Sequence, residues 1–277
     1  MKRSSFAQKI INAPYLLWAA LFVIAPLIMV LYYALTDSEG NFSTESIVEI
    51  GSYTGTFILS IGYGAVATLI SLVIAYPFAY FLAHTKASFQ RMSVMLVMLP
   101  MWMSFLIRTY SWITILGESG VINNALAKIG IGPLPLLNNG AAVILGMVYN
   151  FLPYMILPLY TVMSKMDNSL IEAAQDLGCG KLQTVRKVIF PLSVPGIASG
   201  ITMVFVPSVS TFYITQKLGG GHINLIGDVI EAQFQTAYNY NLGASLSLVL
   251  MVMILICLGV LNYFTDSDDD VNGGVLV

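Results

Sequence analysis

Charge is what this 277-residue chain has least of: 12 Lys and Arg and 14 Asp and Glu, only 9% of the residues. Soluble domains carry roughly 25% charged residues, so a soluble globular protein is excluded. Cysteine is nearly absent. Cys179 and Cys257 fall on different segments in reducing or lipid surroundings, so no disulfide is expected. Neither belongs to a metal-ligand cluster, and no metal site is expected. The two histidines, His84 and His222, read as solvated or capping residues rather than ligands. Several motifs are missing too. Gly180-Lys181 is followed by Leu182, which lacks the hydroxyl that a phosphate-cradling G-x-x-x-x-G-K-[ST] loop places on Mg²⁺. The chain therefore supplies no conventional nucleotide site. H-E-x-x-H and G-x-S-x-G are absent, which lowers an intramembrane hydrolase. The ~10-residue alternation of membrane β-strands is absent as well, as is any visible repeat of the kind many secondary transporters carry.

What the chain does have is long apolar runs, with a mean hydropathy of +0.80. A helix needs about 20 apolar residues to cross a ~30 Å hydrocarbon core. Six windows fit: about 14–36, 57–83, 92–116, 141–163, 194–216 and 244–264, and only the third holds a charge, Arg108. The expected fold is thus all-α and integral to the membrane, with six transmembrane helices. Residues 1–265 form the membrane domain and 266–277 an acidic, solvated tail. The apolar run after Lys2-Arg3 is too long for a signal peptide's ~7–15-residue core, so it reads as a retained span.

Lys and Arg near the span ends set the orientation. Lys2, Arg3, Lys9, Lys86, Arg91, Lys165, Lys181, Arg186 and Lys187 lie on one side; Lys128 and Lys217 lie on the other. That bias makes the N-terminus, the 164–191 loop and the C-terminus cytoplasmic. The outer loops carry Asp37, Glu39, Glu45, Glu49, Glu118, Asp228 and Glu231. An acidic outer face attracts cations or a basic docking surface, although acids also collect simply where positive charge is excluded.

The 164–191 loop, SKMDNSLIEAAQDLGCGKLQTVRKVIFP, is the most informative stretch. Ser169-x-x-Glu172 reads as a capping box that starts a helix at Leu170. Gly178 and Gly180 read as its breakers through positive φ. A second helical stretch, Leu182 to Val188, is expected to stop before Pro191. Glu172 could merely cap its own helix. Ala173 and Ala174 would let a partner surface approach the helix backbone closely.

The order EAAQDLG, nine residues, then VIFP (172–191) resembles the coupling loop of ATP-binding-cassette importer permeases. Val188 and Phe190 stand where that family usually has Ile and Leu. LPMWMSFLIRTYSW (99–112), YNFLPYMILPLY (149–160) and GGGHINLIGDVIEAQF (219–234) resemble the permeases of bacterial spermidine/putrescine importers. The acidic tail departs from that pattern. The resemblance implies a type I importer permease fold in the bacterial inner membrane, non-catalytic, with a cytoplasmic coupling helix carrying Glu172, Ala173, Ala174 and Gly178. It also implies the partners: a sibling permease subunit, a cytoplasmic ATPase dimer that binds ATP and Mg²⁺, an external solute-binding protein, a polyamine as cargo and the lipid membrane, with no nucleic acid. This chain would hold no cofactor. The same architecture with an oxyanion or ferric ion as cargo is the alternative. A stand-alone secondary carrier would need intramembrane carboxylates, and the spans hold none.

Candidate pathway residues cluster in the third span. Arg108 lies sixteen residues from Met92, or ~24 Å along a straight helix. That places it at the outer end, as an anchor or as a lining residue paired with an acid such as Glu118. Trp102, Tyr110 and Trp112 read either as an interfacial belt or as a cation–π lining. Trp102 and Tyr110 share a face of a straight helix, so Trp102 is preferred to Trp112 for the lumen. Asn150 is expected to hydrogen-bond another helix.

Overall fold

The computed structural model describes residues 14–15, 17–37 and 39–272. Lys2, Arg3, Lys9 and the last five residues of the expected tail lie outside them. Among the described residues, five helices are long and apolar enough to span a membrane: α1 (Leu17–Ala34), α2 (Glu45–Ala83), α6 (Gly140–Met163), α8 (Lys181–Val209) and the first part of α11 (Tyr240–Asn272), its Tyr240–Leu261 stretch. A broken pair makes up to a sixth. Between them lie α3 (Ala87–Trp102, its last turn 3₁₀), α4 (Phe105–Leu116), α5 (Val121–Lys128), α7 (Asn168–Asp176), α9 (Tyr213–Leu218) and α10 (Ile226–Gln235).

Four expectations about the spans need correction. The window 92–116 is not one helix: Ala87–Trp102 and Phe105–Lys128 meet at a bend of 91°. Pro100 lies in the 3₁₀ turn Leu99–Trp102, and Met103 and Ser104 are extended, with ψ of 148° and 130°. Proline cannot donate to the helix ladder and disfavours helical backbone just before it, so the break falls here. The window 194–216 is also two pieces, because α8 ends at Val209 and α9 begins at Tyr213. The helix after the 164–191 loop does not stop before Pro191. A π turn, Val185–Ile189, runs into Phe190–Val209 without interruption. Pro191 is the second residue after that π turn, within the continuous helix. Finally, α11 continues as helix to Asn272, so the stretch 266–272 is not the irregular tail expected from its acidity.

The chain divides into two compact units. One comprises residues up to Gly55 with Val229–Met253; the other comprises Thr56–Asp228 with residues from Ile254 on. In the larger unit the core gathers around α6, whose Val143, Met147, Met155 and Leu159 are fully buried. Its main partner is α8. Glycine makes that approach possible: a Cβ at Gly200 would stand 2.5 Å from the Met155 sulfur and one at Gly196 3.1 Å from Val162 Cγ2. Membrane helices without a hydrophobic drive between them depend on such close contacts. Buried hydroxyls are settled within their own helices, as Thr68 Oγ1 donates to the Gly64 carbonyl (2.7 Å) and Ser71 Oγ to that of Ala67 (2.8 Å). Asn150 does the same rather than reaching another helix: its Nδ2 donates to the Gly146 carbonyl at 2.9 Å. Its Oδ1, also buried, has no hydrogen-bond partner among the described residues.

In the smaller unit, Asn241 Nδ2 donates to the Thr36 carbonyl (2.6 Å) and Ser245 Oγ to that of Ala34 (3.1 Å), which ties the end of α1 to the start of α11.

Candidate functional site

The first candidate element is α7 and its flanks. Its N-cap is Asp167, not Ser169: the Asp167 carboxylate accepts the Ser169 N–H at 2.9 Å, and the helix starts at Asn168. Ser169 lies within the helix rather than at its cap, and the carboxylate satisfies one of the orphan N–H groups of the first turn. That bond, the largest cause, holds the Asp167 carboxyl below its usual range. The helix ends in a Schellman turn. The Gly178 N–H donates to the Gln175 carbonyl at 2.9 Å and the Cys179 N–H to that of Ala174 at 3.0 Å. Gly178 sits at φ +84°, the left-handed conformation that favours glycine. Gly180 plays a different part: at φ −68° it is the N-cap of the next helix.

Glu172 and Ala173 are exposed, whereas Ala174 is buried. One of the two alanines thus packs against its own chain and only the other offers an open surface. Sequence reasoning missed Leu177 and Leu182, which are almost fully exposed. An apolar side chain on either flank of a polar glycine turn was the available signal.

The second candidate region lies at the 91° bend. The bend invalidates the straight-helix arithmetic for Arg108 and separates Trp102 from the face of Tyr110. Trp102 is 78% exposed on the 3₁₀ turn. Trp112 packs edge-on against Tyr149, with centroids 5.3 Å apart. Arg108 is only 8% exposed, its guanidinium carbon 5.9 Å from the Phe105 centroid. Its Nε and Nη1 have no hydrogen-bond partner among the described residues, so Glu118 does not pair with those atoms.

Beside the bend, α4 packs on α9. Tyr110 meets Tyr213 edge-on (6.4 Å), and Tyr213 meets Phe105 at 5.9 Å. The Lys217 ammonium stands 5.8 Å from the Tyr110 centroid and 5.7 Å from that of Tyr213. A cation within about 6 Å of an aromatic centroid is drawn to the negative ring face.

Asp228 is not on an outer surface as expected. It is buried, its Oδ1 accepting the Thr215 hydroxyl (3.0 Å) and its Oδ2 the Leu225 N–H (2.8 Å). The adjacent Ile226 N–H donates to Ser60 Oγ at 2.7 Å. By contrast, Asp37 and Glu39 line an open recess of about 440 Å³ with Tyr33, Tyr240 and Asn241. Asp37 accepts the Asn41 and Glu39 N–H groups at 2.9 Å each, and the first of these leads in holding its carboxyl below the usual range.

A helical chain with five or six spans, one of them a broken pair, and a polar glycine-turn helix between its two most closely packed spans is the build of an importer permease. Residues 1–267 match the family of binding-protein-dependent transport system inner membrane components, and the chain belongs to that family. It is a multi-pass inner-membrane component. It is 37% identical over 243 residues to the spermidine/putrescine transport system permease protein PotB of Haemophilus influenzae, covering 84% of this chain and 85% of the relative. The PotB of Escherichia coli K12 is 36% identical over 228 residues, 78% of this chain and 82% of the relative. Among solved structures, a bacterial ABC transporter that imports the acidic polysaccharide alginate shares the fold at TM-score 0.77 and 18% identity, covering 95% of this chain and 96% of that one. The alginate ABC transporter in complex with an alginate pentasaccharide-bound periplasmic protein gives TM-score 0.73 at 17% identity, with 94% of each chain covered.

Proposed function

We propose that this chain is a membrane-spanning subunit of an ATP-driven importer of polyamines, coupled to a separate ATPase through the segment around α7. The cargo rests on one observation: relatives named as spermidine/putrescine permeases align with about four-fifths of this chain at 36–37% identity. The oxyanion or ferric-ion alternative has no comparable support. The chain works beside a sibling permease, two ATPase subunits that carry ATP and Mg²⁺, and a solute-binding protein on the outer side. The solute-binding protein is suggested by the family's description and by the alginate complex with its periplasmic protein. The termini and the 164–191 segment face the cytoplasm, as the Lys/Arg bias requires.

In this reading α7 is the part the ATPase grips. Its exposed Glu172 and Ala173, with Leu177 and Leu182 flanking the turn, offer a small contact surface with an apolar centre. Closure of the ATPases on ATP binding pulls this element and its sibling together and opens the cavity outward; hydrolysis resets it. Trp102, Arg108, Tyr110 and Trp112 are the proposed pathway residues, with Tyr110 at the centre rather than Trp102.

Labelled spermidine uptake tests the cargo, in cells lacking other polyamine importers and expressing the whole system with and without this subunit. Uptake that needs this chain and is competed only by polyamines is the expected result. An assembled complex with ATPase activity and no polyamine uptake moves the cargo to another class. The coupling role is tested with Glu172→Lys and Leu177→Asp. Loss of a central contact costs about 2 kcal/mol or more, so each should cut uptake by tenfold or more while membrane insertion stays normal. Unaltered ATPase stimulation in both variants counts against the assignment.

A further inference from the structure

Lys217 has no acidic partner among the described residues, yet it does not reach into open solvent. Its ammonium is held by the rings of Tyr110 and Tyr213 at 5.8 and 5.7 Å. The two tyrosines come from different helices, so the pair exists only because α4 and α9 meet. Both helices begin just after a break in regular structure, at Met103–Ser104 for α4 and at Ser210–Phe212 for α9. Non-helical backbone at membrane depth is tolerated only where it is buried in protein or lines a water-filled cavity. Tyr110 is 51% exposed and Lys217 partly so, so the pair opens on the surface of this chain rather than being sealed in its interior.

We propose that Tyr110 and Tyr213 form an ammonium subsite on the uptake path, and that Lys217 is a tethered occupant that a substrate amine must displace. The inference rests on the polyamine reading above. Lysine ends in a primary ammonium on a flexible four-carbon stem, the same terminal group that a polyamine presents. The chemistry that holds Lys217 therefore recognises the cargo, and the stem lets Lys217 swing aside. While it is in place, a second cation meets both a filled ring pair and a like charge. Arg108, buried beside Phe105, adds to that repulsion. A cation can enter the subsite only by replacing the ring contacts that Lys217 gives up. A primary amine can do so.

The experiment uses the assembled importer with its binding protein and measures KM and maximal rate for labelled spermidine. Lys217→Gln empties the subsite and should lower KM by about three- to tenfold, the range a single cation–π contact commands. Lys217→Arg keeps a cation on the rings and should retain the original KM. Tyr213→Leu, alone and combined with Lys217→Gln, should raise KM in both backgrounds. A purely repulsive lysine would leave the tyrosine variant unchanged, and a merely structural lysine would alter assembled amounts or maximal rate without lowering KM. An unchanged or raised KM in Lys217→Gln overturns the inference and leaves the polyamine reading standing. Absence of polyamine uptake by the unaltered importer overturns both.

Discussion

Asp228 illustrates how little a single residue's position in a loop says about its surroundings. The sequence places it among outer-loop acids, but the fold buries it as a bracket that accepts one hydroxyl and one backbone N–H. Removing such an acceptor deprives the buried Leu225 N–H of its partner, at about 1–3 kcal/mol, while the Thr215 hydroxyl can still donate to the Phe212 carbonyl at 2.8 Å. Asp228→Ala should therefore lower the melting temperature of the purified complex by a few degrees, and Asp228→Asn, which retains one acceptor oxygen, by less. Equal stability of all three proteins would show that the bracket contributes nothing. The residues legible from sequence alone were those whose role is local. Gly178 at a helix end is fixed by backbone sterics over three residues. The burial of Asp228, like the closure of Tyr213 on Tyr110, depends on segments far apart in the chain.

At the scale of elements, the long apolar runs were legible because hydrocarbon thickness sets their length. Their interruptions were not. The window 92–116 reads as one straight span, yet the chain turns through 91° just after Pro100. Pro153 and Pro158 lie inside the unbroken helix α6. Proline removes one bond in each case; packing decides whether the helix bends, breaks or carries on. Around α7 the glycine signal held at Gly178 and failed at Gly180, since only the first needs positive φ. Gly178→Val should strain the turn, because a left-handed residue with a Cβ costs roughly 1–2 kcal/mol. Gly178→Asn, which tolerates that conformation, should be milder. Hydrogen exchange at Cys179, whose N–H closes the turn, should accelerate in the valine variant and stay slow in the asparagine one. Uptake should fall in the same order.

At the scale of the whole molecule, class and sidedness come from quantities summed over the chain: scarcity of charge, number of spans and the distribution of Lys and Arg. Such sums tolerate local errors, which is why the class emerged although two of the six windows were broken helices. Sidedness can be read with the native cysteines. Cys179 lies in the α7 turn, partly exposed, while Cys257 lines an apolar groove with Ile256 and Val260. A membrane-impermeant maleimide should label the chain in inside-out vesicles but not in intact cells, and Cys179→Ser should abolish that labelling. Labelling from outside would reverse the orientation.

The unbroken run from Lys181 to Val209 has a mechanical consequence. Twenty-nine helical residues make a strut on the order of 44 Å long. α7 is joined to it through Leu177–Gly180 and to α6 through Ser164–Asp167, each a four-residue stretch without helical continuity. In the proposed coupling role, α7 is therefore a short lever hinged at both ends, and the glycine contacts between α6 and α8 are where a tilt of one helix against the other would be absorbed.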